Sequence, residues 1–189
     1  MTKAESRGTG HPAHRLHVEL DDVRPAVWRQ LIVPGTIRLS KLADILLVAM
    51  GWNNSHLHQF RIGDVLFGMH VEDWPEEEID EKSVTVVQAL GDERRFWFDY
   101  DFGDGWGHEI ELQEADWLSH SLKFAVCISG ENACPPDDVG GPGGYDEFLE
   151  AIADSKHPEY EEFLTWIGGS FNRSHFDLAE TNASLQRLR

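Results

Sequence analysis

The stretch Arg94–Ala115 reads "RRFWFDYDFGDGWGHEIELQEA". Apolar and polar residues alternate through "RRFWFDYDF" and again through "HEIELQEA", with Gly103-Asp104-Gly105 between them. A period of two is the signature of a strand with one buried face. The stretch therefore predicts two antiparallel strands joined by a turn, with three glycines able to take unusual backbone angles. The pleat places Phe96, Phe98 and Tyr100 on one face and Trp97, Asp99 and Asp101 on the other.

The letters "DFG" at Asp101–Gly103 also occur in protein kinases. A kinase needs a Gly-rich phosphate loop, a strand lysine and an HRD-type loop upstream, and none is present. A calcium-binding EF-hand fails too. Counted from Asp99, its sixth position is Asp104 where Gly is required, and its twelfth is Ile110 where Glu is required. The sequence has no Walker lysine, HExxH or GxSxG.

Upstream, "HRLHVELDD" and "AVWRQLIVP" read as strands, the second closed by Pro34 and Gly35. "KLADILLVAM" places Leu42, Leu46, Ala49 and Met50 on one helical face, with Ser40 as the expected N-cap and Gly51 as the stop. "HLHQFRIGDVLFG" predicts a hairpin turning at Gly63-Asp64. "EDWPEEEIDEK" reads as a charged surface loop, and Thr85 as the cap of one helical turn ending at Gly91. Downstream, "KFAVCISGENACPPDDVGGPGGYDEF" starts as a strand and becomes a long Gly/Pro loop. A helix is expected from about Tyr145 to Ala153, another opening at Pro158 and ending at Gly168-Gly169, and a last one from Asp177. Strands first and helices last imply an α+β fold. It has a single antiparallel or mixed sheet, helices packed on one face and a helical C-terminal third. Residues 1–13 are polar and read as a disordered tail, and residues 14–189 as one domain.

The chain of 189 residues carries 34 acidic and 16 basic side chains, a net charge of −18. The excess lies beyond residue 60. Such a surface repels phosphate backbones, so nucleic acid is not an expected partner. The longest apolar run, "LADILLVAM", is too short to span a membrane, and the N-terminus lacks an apolar signal region. Two cysteines, Cys127 and Cys134, fit a reducing cytoplasm in which both are free thiols.

Four clusters could carry chemistry. His56 and His58 stand two apart, on one side of a strand. Asp99, Asp101, Asp104 and His108 surround the hairpin turn. Cys127 and Cys134 form the third, and Asp137 and Asp138 precede "GGPGG". Each has a plain structural explanation, since turn aspartates bond their own backbone and buried cysteines act as small apolar groups. Together they supply ligand types for a divalent metal, zinc or manganese, although the spacing matches no named zinc module. The "CPPDDVGGPGG" loop is expected to fold over the sheet edge. It would bring Asp137 or Asp138 to the histidines and form the main pocket.

In this order, "LSKLADILLVAMGWNNSHLHQFRIG", "YDFGDGWGHEIEL", "CISGENACPPDDVGGPGGYDEFLEAI" and "HPEYEEFLTWIGGSFNRSHFDLAETNASL" resemble the plasmid pRiA4b ORF-3-like family. The resemblance covers Leu16 to Leu188. It implies an α+β fold, a bacterial or archaeal origin, and occasional carriage on plasmids and insertion sequences, where relatives bear transposon-passenger or TnpR-type labels. It implies no established activity and no catalytic residues. A resolvase, which the TnpR label suggests, is not supported by the residues. Ser40 reads as a helix cap, and the C-terminal half is acidic rather than a basic helix-turn-helix. The leading expectation is a soluble accessory protein of mobile-element or stress context, acting through contacts with a protein partner. The alternative is a metal-dependent enzyme, such as a hydrolase, drawing on His56, His58, Asp101, Asp104 and His108.

Overall fold

In a computed structural model, residues 10–69 and 78–188 are described. The Arg94–Ala115 stretch forms β6 (Arg95–Tyr100) and β7 (Trp106–Leu118), paired antiparallel with Phe96 opposite Ile110 and Phe98 opposite His108. Phe96, Phe98 and Tyr100 are fully buried, while Trp97 and Asp99 lie half-buried on the other face, as the pleat requires.

Among the described residues, the strands before and after complete one mixed sheet of eight. β1 (His11–Leu20) and β2 (Trp28–Pro34) form one hairpin, and β3 (His58–Ile62) and β4 (Val65–Gly68) another. β5 (Ile79–Asp80) pairs parallel to β4, and β8 (Val126–Glu131) antiparallel to β2. The spatial order is β5-β4-β3-β6-β7-β1-β2-β8. The helices among the described residues are α1 (Leu39–Met50), α2 (Val86–Leu90), α3 (Gly141–Ala153), α4 (Tyr160–Ile167) and α5 (Leu178–Leu185). Leu42 and Leu46 of α1, Val86 of α2, Tyr145 and Phe148 of α3, and Leu185 of α5 share one core with the inward strand residues. The opposite sheet face carries Arg15, His17, Glu19, Glu109 and Glu111, all at least partly exposed. The chain is thus α+β, with three helices in its C-terminal third.

Several local expectations need correction. Strand β1 starts at His11, so Pro12 and Ala13 belong to the sheet rather than to a tail; residues 1–9 lie outside the described residues. Helix α1 begins at Leu39 with Arg38 at its cap, which puts Ser40 inside the first turn. "EDWPEEEIDEK" is described only from Glu78 onward, where it forms β5 and then buries Glu81. Gly141 to Gly144 of "GGPGG" are helix rather than loop, with Gly140 as the cap. Pro142 suits a first turn, and α3 therefore starts four residues before Tyr145. Pro158 sits in the turn ahead of α4, whose cap is Glu159.

The turn itself also differs. Of its three glycines only Gly105 takes a positive φ, 73°. Asp101 takes another, at 51°, and so leaves the strand pleat instead of sharing a face with Trp97 and Asp99. Its carboxylate accepts from the Gly103 N–H at 3.0 Å. An aspartate tolerates this conformation because its side chain bonds the local backbone.

Candidate functional site

After α1, Gly51 reverses the chain in a left-handed conformation, φ 101°. The segment Asn53–Leu57 then crosses to β3 along the turn end of the β6–β7 hairpin. Tyr100 pins it there. Its hydroxyl donates to the Asn53 carbonyl at 2.5 Å, and the Asp101 N–H donates to the Leu57 carbonyl at 2.9 Å. Burial holds the Tyr100 phenol above its ordinary range, so it remains a donor.

This frame presents His56 between two carboxylates. His56 Nδ1 lies 3.6 Å from Asp101 Oδ2, and His56 Nε2 lies 3.2 Å from Asp138 Oδ1. The Asp138 contact has ion-pair distance without hydrogen-bond alignment. Asp138 arrives on the loop between β8 and α3, in a left-handed conformation at φ 60°. Beside it, Asp137 Oδ2 accepts from Ser55 Oγ at 3.3 Å. Burial, and then the adjacent Asp138 charge, hold the Asp137 carboxyl above the usual range; His56 pulls the other way.

One ligand atom each from His56, Asp101 and Asp138 lies within 4.8 Å of the others. Ligands about 2 Å from a zinc ion stand no more than about 4 Å apart. The side chains would need to close by less than about 1 Å to share one. One imidazole nitrogen and one oxygen of each carboxylate would bind the ion.

The other expected ligands are elsewhere. His58 and His56 do not face one site, because the chain is not yet a strand at His56. His58 points into the core, where Nε2 lies 3.0 Å from Glu81 Oε2. His108 is fully buried, its Nδ1 3.0 Å from the Phe98 carbonyl oxygen. Burial lowers its pKa to about 4, so it is neutral. Asp104 accepts from the Gly140 N–H at 3.0 Å and ties the hairpin turn to the start of α3. Cys127 and Cys134 are free, and burial pushes both thiols up.

The "CPPDDVGGPGG" segment does fold over the hairpin end and brings Asp138 to His56. A large cleft, however, lies to one side of that meeting point. Of the seven expected site residues only Asp137 lines it. Sequence reasoning missed Glu81, which stood among acids read as a surface loop. It also missed Ser55 and Tyr100, which carry no motif.

An eight-stranded mixed sheet among the described residues, with a helical C-terminal third, defines an α+β protein. The chain belongs to the family of plasmid pRiA4b ORF-3-like proteins, whose profile matches residues 12–180. It is similar to the uncharacterized protein y4hQ of Sinorhizobium fredii, 44% identical over 172 residues, spanning 90% of this chain and 86% of that one. The fold is similar to the crystal structure of MM3350, a protein of unknown function from Methanosarcina mazei Go1. The TM-score is 0.81 at 27% identity, covering 91% of this chain and 98% of the other. Among the described residues, no helix is long and apolar enough to cross a membrane.

Proposed function

We propose that the protein is an accessory binding protein whose working centre is a divalent metal held by His56, Asp101 and Asp138. The supporting observation is the convergence of three ligand atoms from separate segments within 4.8 Å. Two carboxylates and one imidazole form a mixed set that suits zinc or manganese. Three protein ligands leave positions for water or for a donor from a partner. Water on such an ion becomes acidic, which is the nucleophile a hydrolase would need at the same centre.

The test is calorimetry with zinc and with manganese on metal-stripped protein, beside elemental analysis of protein purified without added metal. One equivalent should bind. His56→Ala should abolish binding, and His58→Gln, inside the core, should preserve it. Absence of binding, or equal binding by His56→Ala, would leave the cluster as an ion-pair triad.

A further inference from the structure

A cleft of about 670 Å³ lies between the C-terminal ends of α1 and α4, the start of α5 and the 133–137 loop. That volume suits a small organic ligand. Trp52, Trp166, Phe171 and Phe176 form its apolar walls, and Trp166 is 46% exposed.

The polar groups of the wall divide by sign. Arg29 lies in the floor, 3% exposed. Its Nε donates to the Ala49 carbonyl at 3.0 Å, Nη1 to those of Trp28 at 2.8 Å and Glu131 at 2.9 Å, and Nη2 to that of Asn132 at 3.0 Å. The Phe176 ring covers one face of the guanidinium, 4.4 Å from its carbon. A guanidinium has five N–H donors, so little of this one is left for an anion.

The acceptors are less committed. Asp137 Oδ1 is buried without a hydrogen-bond partner among the described residues. Asp177 caps α5 through the Ala179 and Glu180 N–H groups, which hold its carboxyl below the usual range and keep it charged. Glu180, exposed in the first turn of α5, has no side-chain partner among the described residues. An anion entering here meets three carboxylates, against the exposed His175 at the rim and the committed Arg29 in the floor. A cation meets acceptors at the rim and aromatic faces, which attract positive charge, on a chain of net charge −18.

We infer that this cleft binds a small organic cation, an amine or guanidine on an apolar stem. The inference does not rest on the metal centre, although Asp137 borders both. The probes are phenethylamine, 2-phenylethanol and 3-phenylpropionate, which share a stem and differ in charge. Each is titrated into the full chain at about 0.15 M salt, near physiological ionic strength, by calorimetry and tryptophan fluorescence. The amine should bind about tenfold more tightly than the other two, as a charged hydrogen bond implies. Glu180→Gln should weaken the amine about fivefold and leave the alcohol unchanged. Trp166→Ala should weaken all three. Both side chains are exposed, and circular dichroism checks that the variants fold. His56→Ala should bind the amine normally, which separates this site from the metal. Equal affinity for the three probes would make the cleft a plain apolar groove. Preference for the carboxylate would assign it to Arg29. Either result overturns the inference. So does absence of saturation by about 10 mM amine, or an amine affinity that Glu180→Gln does not change.

Discussion

His58 Nε2 and Glu81 Oε2 lie 3.0 Å apart inside the apolar core, with 2% and 3% of their side chains exposed. The pair joins β3 to the segment after β5. The His58 ring also packs against Phe98, centroids 5.4 Å apart. His58 Nδ1 has no hydrogen-bond partner among the described residues, so Glu81 supplies the ring's polar contact.

Removing Glu81 should therefore cost far more than a surface acid would. Glu81→Ala leaves a buried imidazole with neither nitrogen bonded, an expected loss of about 3 kcal/mol. Glu81→Gln can keep one hydrogen bond and should cost about 1 kcal/mol. Urea unfolding followed by tryptophan fluorescence measures both. Equal losses would show that the contact contributes nothing specific.

His108 gives a pH prediction with a fixed sign. Burial drives its pKa from 6.5 to about 4, against a smaller opposing effect of the Phe98 and Trp106 backbone. Between those values the unfolded chain binds a proton that the folded chain refuses. The associated stability is complete above about pH 6.5 and is lost as pH falls toward 4, about 3 kcal/mol in all. His14 adds in the same direction, its pKa lowered first by burial and then by Arg94. His108→Leu should flatten the dependence of unfolding free energy on pH across this window. An unchanged slope would remove His108 as its source.

The sequence made the sheet legible because period two is a local signal. Phe96, Phe98 and Tyr100 announce their buried face without any knowledge of partners. The same holds for the start of the last helix near Asp177, where the structure places the cap. The site was legible only in part. Asp101 and Asp138 both needed left-handed backbone to aim at His56, and neither is a glycine that would flag it. His58 followed the strand inward while His56 stayed in the loop, a one-strand boundary that spacing cannot reveal. Glu81 is buried by tertiary contact alone, against the local signal of its acidic neighbours.

Asn182 predicts how the sheet edge is protected. Its Oδ1 accepts from the Cys127 N–H at 3.0 Å and its Nδ2 donates to the Cys127 carbonyl at 2.8 Å, so one side chain stands in for a neighbouring strand on β8. Asn182→Ala should lose about 1–2 kcal/mol and expose that edge to pairing between chains. Asn182→Asp should be worse than alanine, because a carboxylate would face the Cys127 carbonyl. Chemical unfolding ranks the variants, and light scattering on mild heating reads the edge. Asn182→Asp more stable than Asn182→Ala would refute the strand-mimic role.

The hairpin turn and the start of α3 approach closely beside the candidate centre. Gly141 has φ 71°, and a Cβ there would stand 2.2 Å from the Asp104 carbonyl oxygen. Backbone cannot give way as a flexible side chain can. Gly141→Ala combines this clash with a left-handed conformation that alone costs about 1–2 kcal/mol. The expected loss is at least about 2 kcal/mol. The start of α3 must move away from the turn, and Asp138 lies just three residues upstream of the substituted position. If His56, Asp101 and Asp138 hold a metal, its affinity should fall together with stability. Asp104→Ala offers a milder displacement, since it removes only the side-chain bond to the Gly140 N–H. Asp104→Asn keeps an acceptor and should behave nearly as the natural chain. Thermal unfolding reads the first effect and zinc calorimetry the second. A melting temperature for Gly141→Ala equal to that of the natural chain would mean that the turn and the helix do not meet as described.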